Sequence, residues 1–320
     1  MRLNVDGRAV FATTGGAPFD PVKPAVVFLH GAGFDRTTWR LQTRFFAHHD
    51  RAVLAVDFPG HGWSDGPALP SIAALADWTA KLIEAAGLEQ AALVGHSMGA
   101  LVALDTAARH PDRVRALGLC GVATEMPVHP EMIESAKAST LKVQELMTFW
   151  GIGKALHKGG MVSPGLWLRA ESLAVLSAAK PGVIHTDLAA CNAYKDALAR
   201  VLDVKCPTVL VLGDGDLMTP AAKAKPLAAA IAGAKTVVVA NSGHFMMVER
   251  PDETLEALKA CVGARCPRHR LDLGHRRRHR PPPGARRLYR GPSFAQLRRC
   301  RARDGVGAER RQLSPGRPRR

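Results

Sequence analysis

The chain has 320 residues, 47% hydrophobic and 22% charged, a composition that excludes a fully disordered chain and suits one large domain or two small ones. Its formal charge of +16 is confined to one end: residues 264–320 hold 19 Arg, no Lys and three acids, and the first 263 residues balance 25 basic against 25 acidic side chains. The basic average therefore describes a tail, and a nucleic-acid or membrane reading of the whole chain does not follow from it.

Residues 1–10 contain no apolar h-region, and no apolar run approaches the roughly 18 to 20 residues needed to span a bilayer, so neither secretion nor membrane insertion is expected. Six cysteines without CxxC spacing point to reduced thiols in a cytoplasmic protein. Cys261, Cys266, His269 and His275 match no closed zinc spacing, and neither a metal nor a cofactor is expected.

In chain order, two short alternating segments around Asp6 and Gly7 read as a hairpin. Residues 25–29 are apolar on both faces, as a buried parallel strand requires. Similar runs follow at 52–56, 91–94, 116–120, 208–212 and 236–240. Helical spacing lies between them at 72–86, ending at Gly87, at 100–109, ending before Pro111, and at 221–231, ending near Gly233. This alternation predicts an α/β fold, a mostly parallel central sheet with helices on both faces.

Between Cys120 and Thr208 no strand-like run occurs. Residues 131–150 form one long helical candidate, Ser163-Pro164 opens a second, and 187–200 make a third after the break at 180–182. An all-helical insert between two strands is most simply a lid over the C-terminal sheet edge, where open α/β sheets bind ligands. Its large apolar residues are Met126, Met132, Leu146, Met147, Phe149, Trp150, Met161, Leu166 and Trp167. Most are expected to pack the lid onto the body and the remainder to line an apolar pocket. The core thus runs over 1–121 and 206–263, with the lid at 122–205. Residues 264–320 cannot bury enough apolar surface to offset their ordering entropy and are expected to be disordered. The absence of Lys beside 19 Arg, against 13 Lys in the body, points to a reading frame entered by frameshift or a missed stop.

The chemistry is carried by Gly95-His96-Ser97-Met98-Gly99, directly after one strand and directly before a helix. In that setting G-x-S-x-G places a serine hydroxyl on a strained turn above the sheet edge. A hydroxyl needs a base, and among thirteen histidines His244 lies just past the last strand, at the same sheet edge as Ser97. An acid that orients the imidazole is available in Gly213-Asp214-Gly215-Asp216. Asp216, further out on the loop, is the preferred acid, and Asp214 is expected to cap the turn. The negative charge formed on an attacked carbonyl needs fixed donors. The backbone N–H of Met98 is one; the second comes from His30-Gly31-Ala32-Gly33, where Ala32 is preferred over Gly33.

Together with Asp57-Phe58-Pro59-Gly60-His61-Gly62-Trp63-Ser64-Asp65, these segments resemble the α/β-hydrolase superfamily, in its helical-lid branch of esterases, C-C hydrolases, haloperoxidase-like enzymes and iminopeptidases. The resemblance covers residue 5 to about 262 and departs from the family at the tail. It implies that His61 and its loop shape the sheet edge without taking part in catalysis. Serine at position 97 argues against the dehalogenase and epoxide hydrolase chemistry that an aspartate nucleophile would imply.

The expected activity is cofactor-independent hydrolysis of an ester or thioester of a small to medium apolar acid through an acyl-enzyme. C-C bond or amide hydrolysis or perhydrolysis on the same triad is the alternative, followed by a ligand-binding member without turnover. A lid cation among Lys142, Lys154, Arg169 and Lys195 would favour a carboxylated substrate. The expected partner is a small ester-like molecule, with no membrane and no specific nucleic acid; the charge of the tail suits nonspecific polyanion binding, and nucleic-acid binding by the tail as the function is the least favoured reading. Composition sets no oligomeric state.

Overall fold

The computed structural model describes residues 1–159 and 167–262. The expectations for Ser163-Pro164, Met161, Leu166, Cys266, His269, His275 and the 264–320 tail lie outside these residues.

Strands β1 (Arg2–Val5) and β2 (Arg8–Thr13) form an antiparallel hairpin. Asp6 and Gly7 turn it with φ of 51° and 79°, the paired positive angles of a tight two-residue hairpin. The remaining strands are β3 (Ala25–Leu29), β4 (Ala52–Val56), β5 (Ala91–His96), β6 (Val114–Cys120), β7 (Thr208–Gly213) and β8 (Lys235–Val239). They complete an eight-stranded sheet of order β1-β2-β4-β3-β5-β6-β7-β8, parallel from β4 to β8. Every residue of β3, β4, β5 and β7 is buried, so the sheet is covered on both faces as the continuous apolar runs require. The edge strand β8 differs: Lys235, Thr236 and Val238 are exposed, because only β7 pairs with it.

Helices α1 (Arg40–Ala47), α2 (Ile72–Ala85) and α3 (Met98–Arg109) belong to the body. The Ser71 hydroxyl caps α2 by accepting from the Ala74 N–H. The lid contributes α4 (Pro130–Lys137), α5 (Leu141–Gly151), α6 (Leu168–Ser177), α7 (Val183–Ala193) and α8 (Ala197–Arg200), and α9 (Lys225–Ala230), α10 (Met246–Glu249) and α11 (Pro251–Val262) follow. Pairing of α2 with α3 and of α1 with α11 makes the two helical layers. Among the described residues no helix is long and apolar enough to cross a membrane.

Three expected helices are divided. The 131–150 candidate breaks at Ser139, whose φ is 52°, giving α4 and α5. A straight helix would separate Met132 from Met147 by about 22 Å; the break lets both line one cavity. The 187–200 candidate starts earlier and stops at Tyr194, whose hydroxyl donates to buried Asp105 on α3 at 2.9 Å. The 221–231 candidate is a 3₁₀ turn followed by α9, since Pro226 has no N–H with which to continue the first helix.

Candidate active site

Strand β5 runs two residues further than expected, through His96, and α3 starts at Met98, so Ser97 alone forms the turn. Its φ and ψ are 53° and −117°, a conformation that costs a non-glycine residue on the order of 1–3 kcal/mol and persists only where the surroundings impose it. Here the surroundings are two close approaches. A Cβ on Gly95 would overlap the Gly99 carbonyl, and one on Gly99 would lie 2.5 Å from the carbonyl oxygens of Leu29 and His30. The Ser97 N–H is fixed to the Cys120 carbonyl at 2.9 Å.

Asp216 and His244 come together in the loops after β7 and β8. The His244 Nδ1–H donates to Asp216 Oδ2 at 2.7 Å, and both side chains are buried. Asp216 Oδ1 accepts the N–H groups of Met218 and Thr219 at 2.9 and 2.8 Å, and Oδ2 accepts the Thr219 hydroxyl at 2.7 Å. Burial works against the charged carboxylate, but the His244 ring and these donors outweigh it and hold Asp216 down at about 2. His244 Nε2 has no hydrogen-bond partner among the described residues, and the ring lines the same cavity as Ser97. Asp214 holds the turn instead, its carboxylate accepting the N–H groups of Asn241 and Ser242 at 3.0 and 3.1 Å.

The Gly31 carbonyl accepts from His30 Nδ1–H at 2.8 Å and from the Phe34 N–H at 3.2 Å. Because a trans peptide directs its C=O and N–H oppositely, the Ala32 N–H points away from both. Among the described residues neither the Ala32 nor the Met98 N–H has a partner, whereas the Gly33 N–H donates to Asp187 Oδ2 at 2.8 Å.

Several buried groups around the site carry no signal in sequence. His96 Nε2–H donates to the His244 carbonyl at 3.0 Å, and burial together with the nearby His244 ring keeps His96 neutral. Glu249, fully buried, accepts the N–H groups of Gly153, Gly243 and Phe245 at 3.1, 2.8 and 3.1 Å, tying a lid segment to the His244 loop. Burial raises its pKa and the three amides oppose the rise. Replacing Glu249 with Ala leaves three buried donors unpaired and is expected to destabilise the fold by roughly 3 kcal/mol or more. A melting temperature unchanged by the substitution would show that these amides find other acceptors.

The cavity above Ser97 measures about 150 Å³ and is lined by Met126, Met132, Met147, Met218, Trp150 and Leu188, among others. The lid's apolar residues thus divide differently from expectation: four of them line the cavity, while Phe149 and Trp167 are 54% and 61% exposed. No Arg, Lys, Asp or Glu is among the described residues that line it. Lys142 pairs with Glu131 and Lys195 with Glu125, and Lys154 and Arg169 are exposed.

The sequence profile of the Alpha/beta hydrolase family matches residues 26–257. A pimeloyl-(acyl-carrier protein) methyl ester esterase of Chromobacterium violaceum is 32% identical over 252 residues, covering 73% of this chain and 92% of that protein. Among solved structures, the enol-lactonase from Burkholderia xenovorans LB400 superposes with a TM-score of 0.73 at 22% identity, covering 81% of this chain and 98% of the other. An esterase from Exiguobacterium antarcticum gives 0.72 at 21% identity, covering 82% and 99%. The chain belongs to the alpha/beta hydrolase family and is, as such, a hydrolase.

Proposed function

We propose that the protein is a serine hydrolase that cleaves an ester or thioester of a small to medium, uncharged apolar acid. The observation that carries this reading is the Asp216–His244 pair, whose Nε2, without a partner among the described residues, shares one largely apolar cavity with a serine held in a strained turn. In the proposed cycle Ser97 Oγ attacks the acyl carbon as His244 Nε2 takes its proton. Asp216 stabilises the imidazolium, and the Ala32 and Met98 N–H groups take the oxyanion. His244 then protonates the leaving alcohol or thiol, and a water, activated by the same nitrogen, releases the acid. The naming of relatives as esterases supports a carboxylic ester as substrate. Free thiols at Cys120, Cys191, Cys206 and Cys261 fit a reducing, cytoplasmic setting.

The cavity sets the acyl group. An apolar space of about 150 Å³ holds a molecule near the size of benzene, and a free carboxylate there would lose its hydration without meeting a cation among the described lining residues. A panel of p-nitrophenyl esters is expected to peak in kcat/KM at about four to six acyl carbons, with ω-carboxy analogues of the same length at least tenfold slower. Equal rates for carboxylated and plain chains would reject the uncharged-acid assignment. C-C bond, amide and peracid chemistry would use the same Ser97 and His244, and separate from esterase activity when a β-diketone, an anilide and a peroxide-dependent assay are run beside the ester panel.

A further inference from the structure

A buried carboxylate of the lid itself reaches the loop after β3. Asp187, on α7, is 1% exposed, and its Oδ2 accepts both the His61 Nε2–H at 2.7 Å and the Gly33 N–H at 2.8 Å. The other nitrogen of His61, Nδ1, faces the Pro59 carbonyl at 3.1 Å, so both ring nitrogens meet oxygen acceptors, the arrangement of an imidazolium. Burial disfavours that charge, but Asp187 outweighs it, and the His61 pKa is raised above its ordinary 6.5. A buried carboxylate is tolerated only when paired in this way.

Gly33 itself is clasped by the lid. Its φ is 70°, in the left-handed region, and a Cβ there would lie 3.0 Å from Ile184 Cγ1 of α7 and from Leu176 Cδ2 of α6. The two peptide planes that flank the Ala32 Cα are therefore each held. His30 and the Phe34 N–H hold the first through the Gly31 carbonyl; Asp187 holds the second through the Gly33 N–H. With both planes fixed, the direction of the Ala32 N–H is fixed as well.

We propose that Asp187 is a positioning residue: from the lid it anchors the Gly33 amide and thereby aims the Ala32 N–H at the developing oxyanion. The proposal rests on the serine-hydrolase reading given above. It makes the lid part of the catalytic alignment as well as the wall of the acyl cavity.

Two substitutions in the full chain separate this role from simple lid packing. Asp187→Asn and Asp187→Leu both abolish the ion pair with His61 and are expected to lower the melting temperature alike. Only Asn retains an oxygen that can accept the Gly33 N–H. Removal of one oxyanion donor costs about 10²–10³ in kcat, so misdirecting it in Asp187→Leu is expected to cost about 10–100-fold in kcat with KM within about threefold. Inhibition by an alkyl trifluoromethyl ketone, which forms a tetrahedral adduct on the serine, should weaken in proportion to kcat/KM. Asp187→Asn should keep kcat within about fivefold of wild type. Equal kcat for the two variants, or a rise in KM with kcat unchanged, would overturn the positioning role. Failure of the underlying reading has a different signature: wild-type protein would neither turn over esters nor label at Ser97 with a fluorophosphonate, and the proposal would fall with it.

Discussion

Ser97→Ala is expected to lower ester turnover by about 10⁴-fold or more and to abolish fluorophosphonate labelling, with the melting temperature within a degree or two of wild type. The size of the loss follows from the site acting as a unit: without the serine, His244 and the two N–H groups have no nucleophile to activate or stabilise, and only residual catalysis by binding and electrostatics remains. The unchanged stability follows from position. Ser97 makes no side-chain hydrogen bond that caps α3, its backbone conformation is imposed by the close approach of Gly95 and Gly99, and alanine experiences the same φ of 53°. Kinetics on a good ester, mass spectrometry of the labelled protein and a thermal melt check all three parts. Labelling that persists in the variant would remove Ser97 from the nucleophile role.

Asp216→Asn is expected to be the second-largest loss, near the roughly 10⁴-fold seen when the orienting acid of a serine triad is made neutral. The carboxylate accepts from His244 at 2.7 Å, from the Thr219 hydroxyl and from two backbone amides. An asparagine keeps one acceptor and turns an NH₂ toward a neighbour that is already a donor, so the imidazole loses its tautomer control and the imidazolium its counter-charge. Asp214→Asn, which touches only the amides of Asn241 and Ser242, is expected to cost less than about tenfold. Equal losses would show that the acid is misassigned. The depressed Asp216 carboxyl also gives a stability test with a definite sign. Its folded pKa of about 2 lies below its ordinary 3.8, so it adds stability above pH 3.8 and loses it as pH falls toward 2. Asp216→Asn should flatten that part of the acid unfolding curve.

Sequence by itself determined the α/β class, the hairpin at Asp6 and Gly7, the parallel strands and the elbow at Ser97. These are local or periodic features: runs apolar on both faces, glycine where the backbone must approach closely, and a motif whose strand and helix flank it directly. It also ranked Asp216 above Asp214 from their places on one loop, and the structure puts Asp216 on His244 and Asp214 on the turn.

The tertiary structure decided whatever depends on pairs distant in the chain. Asp187 meets Gly33 across 154 positions and His61 across 126, and Glu249 meets Gly153 across 96; nothing in the local pattern of a helix marks such a carboxylate as buried. The break at Ser139 and the stop at Tyr194 likewise answer to packing, the first to bring Met132 and Met147 to one cavity and the second to seat a hydroxyl on Asp105. Helical propensity favours the longer elements, but burial of apolar side chains and satisfaction of buried polar groups outweigh it once the lid lies on the sheet. The composition of the acyl cavity, and with it the absence of a charged group among its described lining residues, is fixed at that same step.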